Sequence, residues 1–260
     1  MDDGEALEAT HQHRSRCCFQ EWMQLQRQDL TLLLESIHNT HNDDQSRTLI
    51  RNCLAHFEDY ITNRRRFAEE DAFPFFAPTW CTSLENSLLW IAGCRPSIFI
   101  RLLYALSGCE VDARLGEWLE GIRGESGNHH LHVGNLSASQ LVRVNGLHMR
   151  TVRAEERQGR EMASCQEEPA DEPIAVIVNE MEGVVGEEVG EAAERALKEH
   201  EREMRRMMEK ADELRLKTIK EVMEILEPVQ AVEFLVASKK LHLSLHQWGK
   251  RRDERHGRRC

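Results

Sequence analysis

The segment from Trp90 to Ser97 restricts the fold more than any other part of the chain, because a helix must end inside it. Its residues are Trp-Ile-Ala-Gly-Cys-Arg-Pro-Ser, so a glycine and an Arg-Pro pair follow soon after a tryptophan. Glycine and proline both disfavour a helix interior. Trp80 lies ten residues before Trp90, and aromatic rings bury much surface where helices meet. We therefore expect one bulky ring on each side of a fixed helix end.

Apolar residues recur at helical spacing along most of the chain, which predicts an all-α helical bundle. Thr79 is expected to cap a helix that starts near Trp80. Gln26 is a polar residue on an otherwise apolar stripe. Helices are expected at Phe19–Ile37, Ile50–Ile61, Ser97–Leu106, Leu115–Ile122 and Ser137–Val152, followed by long C-terminal helices on either side of Pro228. The tryptophans expected in the core are Trp22, Trp80, Trp90 and Trp118.

Composition divides the chain into four parts. Residues 1–18 are polar and are expected to be disordered, and residues 19–249 are expected to form one helical domain. That domain is interrupted at 161–191 by an acidic segment with prolines and glycines, which predicts a mobile insertion. Residues 161–203 hold fourteen acidic and three basic residues. A basic tail occupies 250–260.

Charge and cysteine usage exclude several classes of protein. The formal net charge of −11 makes the whole chain a poor ligand for polyanions such as nucleic acid. Eight cysteines are scattered without a Cys-x-x-Cys pair, which argues against a zinc site or a disulfide framework and favours reduced, intracellular thiols. The acidic N-terminus predicts no signal peptide, and the apolar stretches are too short to span a bilayer.

Motifs typical of enzymes are missing from the sequence. No glycine-rich loop follows a predicted strand, and no Gly-x-Ser-x-Gly elbow occurs. Serine, histidine and aspartate are plentiful but show no catalytic spacing. We therefore predict a protein that is not an enzyme.

Several spaced motifs over residues 19–158 and 204–249 together resemble the DOG1 domain of plants. This domain occurs alone in Delay-of-Germination-1-like proteins and behind a basic zipper in TGA-type bZIP transcription factors. The residues that carry the resemblance are Trp22, Gln26, Tyr60, Trp80-Cys81-Thr82, Glu85, Trp90, Gly93, Arg95-Pro96-Ser97, Leu136-Ser137, Gln140-Leu141 and the segment Leu241–Gly249, which contains Trp248. In the family the central motif usually has glycine and tryptophan where this chain has Ala92 and Cys94.

The resemblance implies a regulator of seed dormancy and abscisic-acid signalling that binds clade A protein phosphatase 2C enzymes. It implies a location in the nucleus, with the cytoplasm as a second location. It places the contact on the N-terminal helix, Trp22 to Ile37. The eighteen residues before Phe19 hold no basic zipper, so no direct grip on DNA is expected. One alternative is a transcription co-regulator that meets sequence-specific DNA through bZIP partners. Homo-oligomer formation stays open, and no membrane partner is expected.

His242 and His246 form a second candidate feature. They lie four residues apart, hence on one face of a predicted helix. The resemblance implies that such histidines ligate haem, which makes a haem- or acyl-ligand-sensing module a further alternative. Two parallel side chains cannot easily reach opposite faces of one macrocycle, so a single axial ligand is easier to build. The other interpretation is a pair of half-buried histidines without a ligand.

Four further groups each have two interpretations. His129, His130 and His132 form a polar surface loop, or a metal site completed by His148 or Cys109. The run Lys250–Arg259 is a nuclear import signal or phosphate patch, or a frayed terminus. Met204, Met207 and Met208 form a partner surface or part of the core. Arg95 contacts helix-end carbonyls or a partner.

Overall fold

The computed structural model describes residues 3–38, 43–108, 132–170, 175 and 190–258, and within them the chain is all-α, as predicted, with seven α-helices and no strand. The helices are α1 (Asp3–His38), α2 (Asp43–Ala68), α3 (Ser83–Ser87), α4 (Ser97–Leu106), α5 (Ala138–Glu167), α6 (Glu191–Ile225) and α7 (Pro228–Arg255). Short 3-10 turns occupy Phe73–Phe75, His132–Gly134 and Glu168–Ala170.

Local capping signals fix where several helices begin. Thr82, not Thr79, is the N-cap of α3, because Thr82 is followed three residues later by Glu85 and the two residues complete a capping box. Ser137 caps α5 in the same way, as predicted. Pro228 occupies the first turn of α7, where a proline needs no hydrogen-bond partner for its nitrogen.

The apolar stripes pack into a bundle in which α1 lies along α2 and α7, and α5 lies along α6. Among the described residues, the largest cluster of buried apolar side chains joins α1, α2, α4, α5, α6 and α7 around Leu33, Leu103 and Phe234. Met207 and Met208 are buried, so the methionines of α6 belong to the core and not to a partner surface. A second cluster holds Phe19, Trp22, Met23, Phe67, Phe75 and Trp80.

Several predicted boundaries differ from the structure. Residues 3–18, predicted to be disordered, continue the helix α1, where Arg14 pairs with Glu70 at 2.9 Å and lies over the ring of Phe67. The first ten residues of the predicted acidic insertion, 161–170, are helical, because α5 continues to Glu167 and a 3-10 turn follows it. Residues 250–255, the first part of the predicted basic tail, form the last turns of α7. Part of each extension packs on neighbours, since Ser15, Cys165 and Asp253 are buried.

Some predictions fall outside the described residues. These are the helix at 115–122 with Trp118, the loop residues His129 and His130, Cys109, and most of the insertion between 171 and 189. His148 is described, and its ring packs against that of Tyr104 at 5.5 Å. Among the described residues, none of the helices has an apolar run of the length needed to span a bilayer.

Candidate functional site

The motif residues Trp90 to Gly93 form a tight turn in a left-handed conformation. Ile91 and Ala92 have φ angles of 43° and 57°, which residues other than glycine rarely adopt. The amide of Trp90 donates to the Gly93 carbonyl at 2.7 Å, and the amide of Gly93 donates back to the Trp90 carbonyl at 3.2 Å. A β-branched residue at positive φ is strained, so this turn depends on contacts from elsewhere in the fold.

Two buried arginines supply those contacts. Arg215 on α6 donates to the carbonyls of Trp90 at 2.5 Å, Ile91 at 2.8 Å and Cys94 at 2.6 Å. Arg64 on α2 donates to the carbonyl of Ala92. Guanidinium groups are suited to this role because they carry five donors in a fixed plane. The helices α2 and α6 thus hold one turn from both sides.

Asp212 balances the charge of these arginines. Its Oδ1 lies 2.7 Å from Arg215 and 3.5 Å from Arg64, and all three side chains are buried. Burial lowers the pKa of Arg64, but Asp212 together with weaker contributions from Tyr60 and neighbouring cysteines raises it by more in sum, so Arg64 stays charged. We call Arg64, Asp212 and Arg215 the arginine clamp. The two positive charges of the clamp lie against one carboxylate and four backbone carbonyl oxygens.

Gly93 is required by the clamp, because the Arg215 side chain lies against it. A Cβ at this position would lie 2.8 Å from Cζ of Arg215. The Trp90 ring completes the packing, with the guanidinium of Arg215 over it at 5.6 Å and that of Arg95 at 6.0 Å. Trp90, one of the two rings predicted beside the helix end, therefore packs against two arginine side chains.

Glu155 on α5 fixes the start of α4. Its carboxylate accepts from the Ser97 amide at 2.6 Å, from the Ser97 hydroxyl at 3.0 Å and from Arg95 Nε at 3.1 Å. Pro96 occupies the N-cap of α4 and provides no side-chain cap, so Glu155 caps it from another helix. Arg95 contacts this carboxylate and not the helix-end carbonyls; its side chain is also more than half exposed, and contact with a partner stays a prediction.

The late motif packs α7 onto α3. His246 donates from Nδ1 to the two carboxylate oxygens of Glu85 at 2.9 and 3.0 Å, and Glu85 also accepts from the amide and hydroxyl of Thr82. Burial raises the pKa of Glu85, but these hydrogen bonds lower it by more, and the net pKa is lowered. Gly249 lets the two helices touch, since a Cβ there would lie 2.1 Å from Thr82 Oγ1.

This arrangement does not fit a haem held by His242 and His246. His246 is 6% exposed, its Nδ1 is engaged by Glu85, and its ring meets the Phe19 ring at 5.7 Å. The cavity beside it has a volume of about 250 Å³ and is lined by Arg27, Leu243, His246, Gln247 and Lys250, below the 300–1,000 Å³ usual for ligand pockets. His242 does not line that cavity, and burial lowers its pKa to about 4.

The motif residues of α1 belong to the core. Trp22 stacks on Tyr60 of α2 with ring centres 4.7 Å apart. Gln26 accepts from the buried Lys239 of α7 at 3.2 Å, and Lys239 also pairs with Asp29 at 2.8 Å. This buried polar contact explains why a glutamine stands on an apolar stripe, and it ties α1 to α7.

The remaining motif residues have structural positions too. Gln140 donates to the Ile225 carbonyl at 3.0 Å and to Gln230 at 2.7 Å, which joins α5 to the break between α6 and α7. Trp80 packs edge-on against Phe75 at 5.6 Å. Trp248 is 42% exposed on α7. Trp248 is thus a motif tryptophan that reaches the surface.

Sequence reasoning missed the charged residues that hold these motifs in place. Arg64 is the first of three consecutive arginines at the end of the second predicted helix, and the sequence pattern assigns no role to Asp212 or Arg215. One signal was present, because Arg215 follows Ala211 by four residues and so continues the apolar face of α6. Nothing local marks Glu155 or Lys239, whose partners lie 58 and 210 residues away.

Comparison with known proteins agrees with the motif pattern. The family model described as DOG1, seed dormancy control, matches residues 29–105. Protein DOG1-like 1 of Arabidopsis thaliana is 41% identical over 258 residues, covering 92% of this chain and 89% of that protein. Protein RESPONSE TO ABA AND SALT 1 of the same plant is 27% identical over 198 residues, covering 75% and 74%. Transcription factor TGA1, also from Arabidopsis thaliana, is 30% identical over 82 residues, or 32% of this chain and 22% of that protein.

The resemblance first drawn from spaced motifs is confirmed by these matches. A relative that is 41% identical aligns with nearly the whole of both chains, and the matched family region contains the turn at Trp90 and its Arg64 contact. This chain belongs to the DOG1 family.

Proposed function

We propose that this chain is a non-enzymatic nuclear regulator, which acts in seed dormancy and abscisic-acid signalling by binding a protein phosphatase 2C. The observation that carries the proposal is the alignment with Protein DOG1-like 1 over 92% of the chain. The family description names seed dormancy control, and one relative is named for its response to abscisic acid and salt. The residues that define the motifs are used in packing, which favours a rigid scaffold over a catalyst.

The outer face of α1 is the surface we propose for the phosphatase. The inner face of this helix is fixed by Trp22, Met23 and Leu33, which are buried. The outer face leaves Arg27 and Leu32 exposed, and Leu32 is 49% exposed. An apolar side chain on a rigid helix can anchor a partner at little cost in conformational entropy.

The cavity beside this face adds to the proposed contact. Arg27 of α1 and Lys250 of α7 line it together with Gln247. Two cationic side chains at a concave edge suit an acidic or carbonyl-rich segment of a partner. Arg27 and Leu32 are five residues apart, which is about 140° around the helix, so the proposed contact spans the outer face of α1 with the apolar anchor at one edge and the basic rim at the other.

Calorimetric titration with recombinant clade A phosphatases tests this surface. We expect Leu32→Asp to weaken the dissociation constant at least tenfold, which corresponds to about 1.4 kcal/mol. Val142→Asp is the matched control, since Val142 is 72% exposed on α5 and lies outside the proposed contact. Failure of the unmodified chain to bind any phosphatase, or equal weakening by both variants, would contradict the proposal.

Exposed basic side chains on the last turns of α7, among them Lys250 and Arg251, support the nuclear part of the proposal as a candidate import signal. A second candidate is a co-regulator that reaches DNA through a bZIP partner, which the partial match to TGA1 favours. Under that alternative, the chain shifts a promoter fragment in a gel only when a zipper protein is present.

A further inference from the structure

Three side chains with metal-binding atoms meet where α5 ends and α6 begins. Cys165 lies in the last turn of α5, Glu168 in the 3-10 turn that follows, and His200 in the third turn of α6. Sγ of Cys165 is 3.9 Å from Oε2 of Glu168 and 3.9 Å from Nδ1 of His200. Nδ1 of His200 is 3.3 Å from Oε2 of Glu168. The three atoms form a compact triangle.

The size of this triangle matches one face of a zinc tetrahedron. Zinc bonds of about 2.3 Å to sulfur and about 2.0–2.1 Å to nitrogen and oxygen give edges of about 3.3 Å between nitrogen and oxygen and about 3.6 Å to sulfur. The observed nitrogen–oxygen edge of 3.3 Å agrees, and the two 3.9 Å sulfur edges need to shorten by only about 0.3 Å, a movement that side-chain rotation supplies.

The surroundings hold two of the three groups in position. Cys165 is buried, and the His200 side chain is mostly buried with its ring stacked on Phe73 at a distance of 6.0 Å. Glu168 is half exposed, so an ion and its remaining water ligand can enter from that side. Orientation of a histidine by packing raises the fraction of time its nitrogen faces the ion.

We propose that Cys165, Glu168 and His200 bind one Zn²⁺ ion, with water as the fourth ligand. A thiolate, an imidazole and a carboxylate together select zinc over magnesium or calcium, which prefer oxygen alone. On binding, the Cys165 thiol releases its proton to water, and the resulting thiolate and the Glu168 carboxylate together neutralise the ion. The ion would link the end of α5 to α6. Its cysteine and histidine ligands are 35 residues apart in the sequence, so their spacing does not suggest a metal site.

Metal titration of the purified full chain tests the site. After removal of metal with a chelator, we expect one zinc per chain in competition with a colorimetric zinc indicator. Cobalt in place of zinc should give the ultraviolet band of a thiolate–cobalt bond. We expect Cys165→Ser and His200→Gln each to weaken zinc binding by at least 10–100-fold, the range roughly seen even for loss of an outer-shell partner.

Cys94→Ser is the matched control, because Cys94 is an exposed cysteine outside the cluster, and it should keep both the affinity and the cobalt band. Circular dichroism of each variant separates loss of a ligand from loss of the fold. The proposal is overturned if the unmodified chain binds zinc no more tightly than Cys165→Ser, or if its cobalt complex lacks the thiolate band. In that case the three residues form a hydrogen-bonded cluster alone.

Discussion

Replacing Arg215 with methionine removes the centre of the arginine clamp while keeping a long, flexible side chain in the buried space. Arg215 makes three hydrogen bonds to the carbonyls of the turn and one ion pair, at 2.7 Å, with Asp212. The variant removes the Arg215 donor from these carbonyls, of which that of Trp90 still accepts from the Gly93 amide. It leaves Asp212 with Arg64 at 3.5 Å as its remaining ion-pair partner. The strained residue Ile91 then loses the side-chain donor to its carbonyl, while Ala92 keeps its contact with Arg64.

The expected loss of stability follows from these contacts. Removal of one partner from a buried ion pair costs roughly 3–5 kcal/mol, and the carbonyls that lose a donor together add about 1–2 kcal/mol. Apolar contacts of the new methionine offset part of the loss, about 1–2 kcal/mol. We therefore expect Arg215→Met to lower the free energy of unfolding by about 4 kcal/mol. At about 2–4 °C per kcal/mol for a chain of this size, Tm falls by roughly 8–16 °C.

Urea unfolding followed by circular dichroism at neutral pH measures this change. Arg202→Met is the matched control on the same helix, because Arg202 is exposed and pairs with Glu199 three residues away; we expect it to change stability by at most about 0.5 kcal/mol. If Arg215→Met loses less than about 1 kcal/mol, the clamp does not hold the turn and our account of the motif is wrong.

Two more predictions concern the α3–α7 contact and His242. Gly249→Ala should destabilise the fold by about 2–3 kcal/mol, because the new Cβ would lie 2.1 Å from Thr82 Oγ1; Gly159→Ala, in a helix and with open space around it, should instead stabilise by about 0.5–1 kcal/mol in the same thermal melts. Burial lowers the pKa of His242 from 6.5 to about 4 in the folded chain. Between these two pH values the unfolded chain binds more protons than the folded chain. The free energy of unfolding therefore decreases as the pH is lowered from about 6.5 to 4, by roughly 2–3 kcal/mol in total. His242→Gln should remove that part of the slope in urea titrations at several pH values; an unchanged slope would show that His242 does not carry it.

The sequence predicted helix positions better than it predicted contacts. Thr82 and Ser137 each cap a helix together with a partner three residues later, so the signal is local. The prediction of Thr79 as the cap of α3 is wrong by three residues. The all-α class also followed from local periodicity. Helix ends were less predictable, because buried residues such as Ser15 of α1 and Cys165 of α5 lie beyond the breaks in the sequence pattern.

Sequence alone determined that this chain forms amphipathic helices, that a helix stops near Trp90, and that its motifs resemble the DOG1 domain. Those properties depend on residues within a few positions of one another. The tertiary structure decided what the motifs do: Arg215 reaches the turn from 121 to 125 residues away, and His200 meets Cys165 across 35 residues. Such pairings depend on which helices lie side by side, and that is set by burial of the whole core.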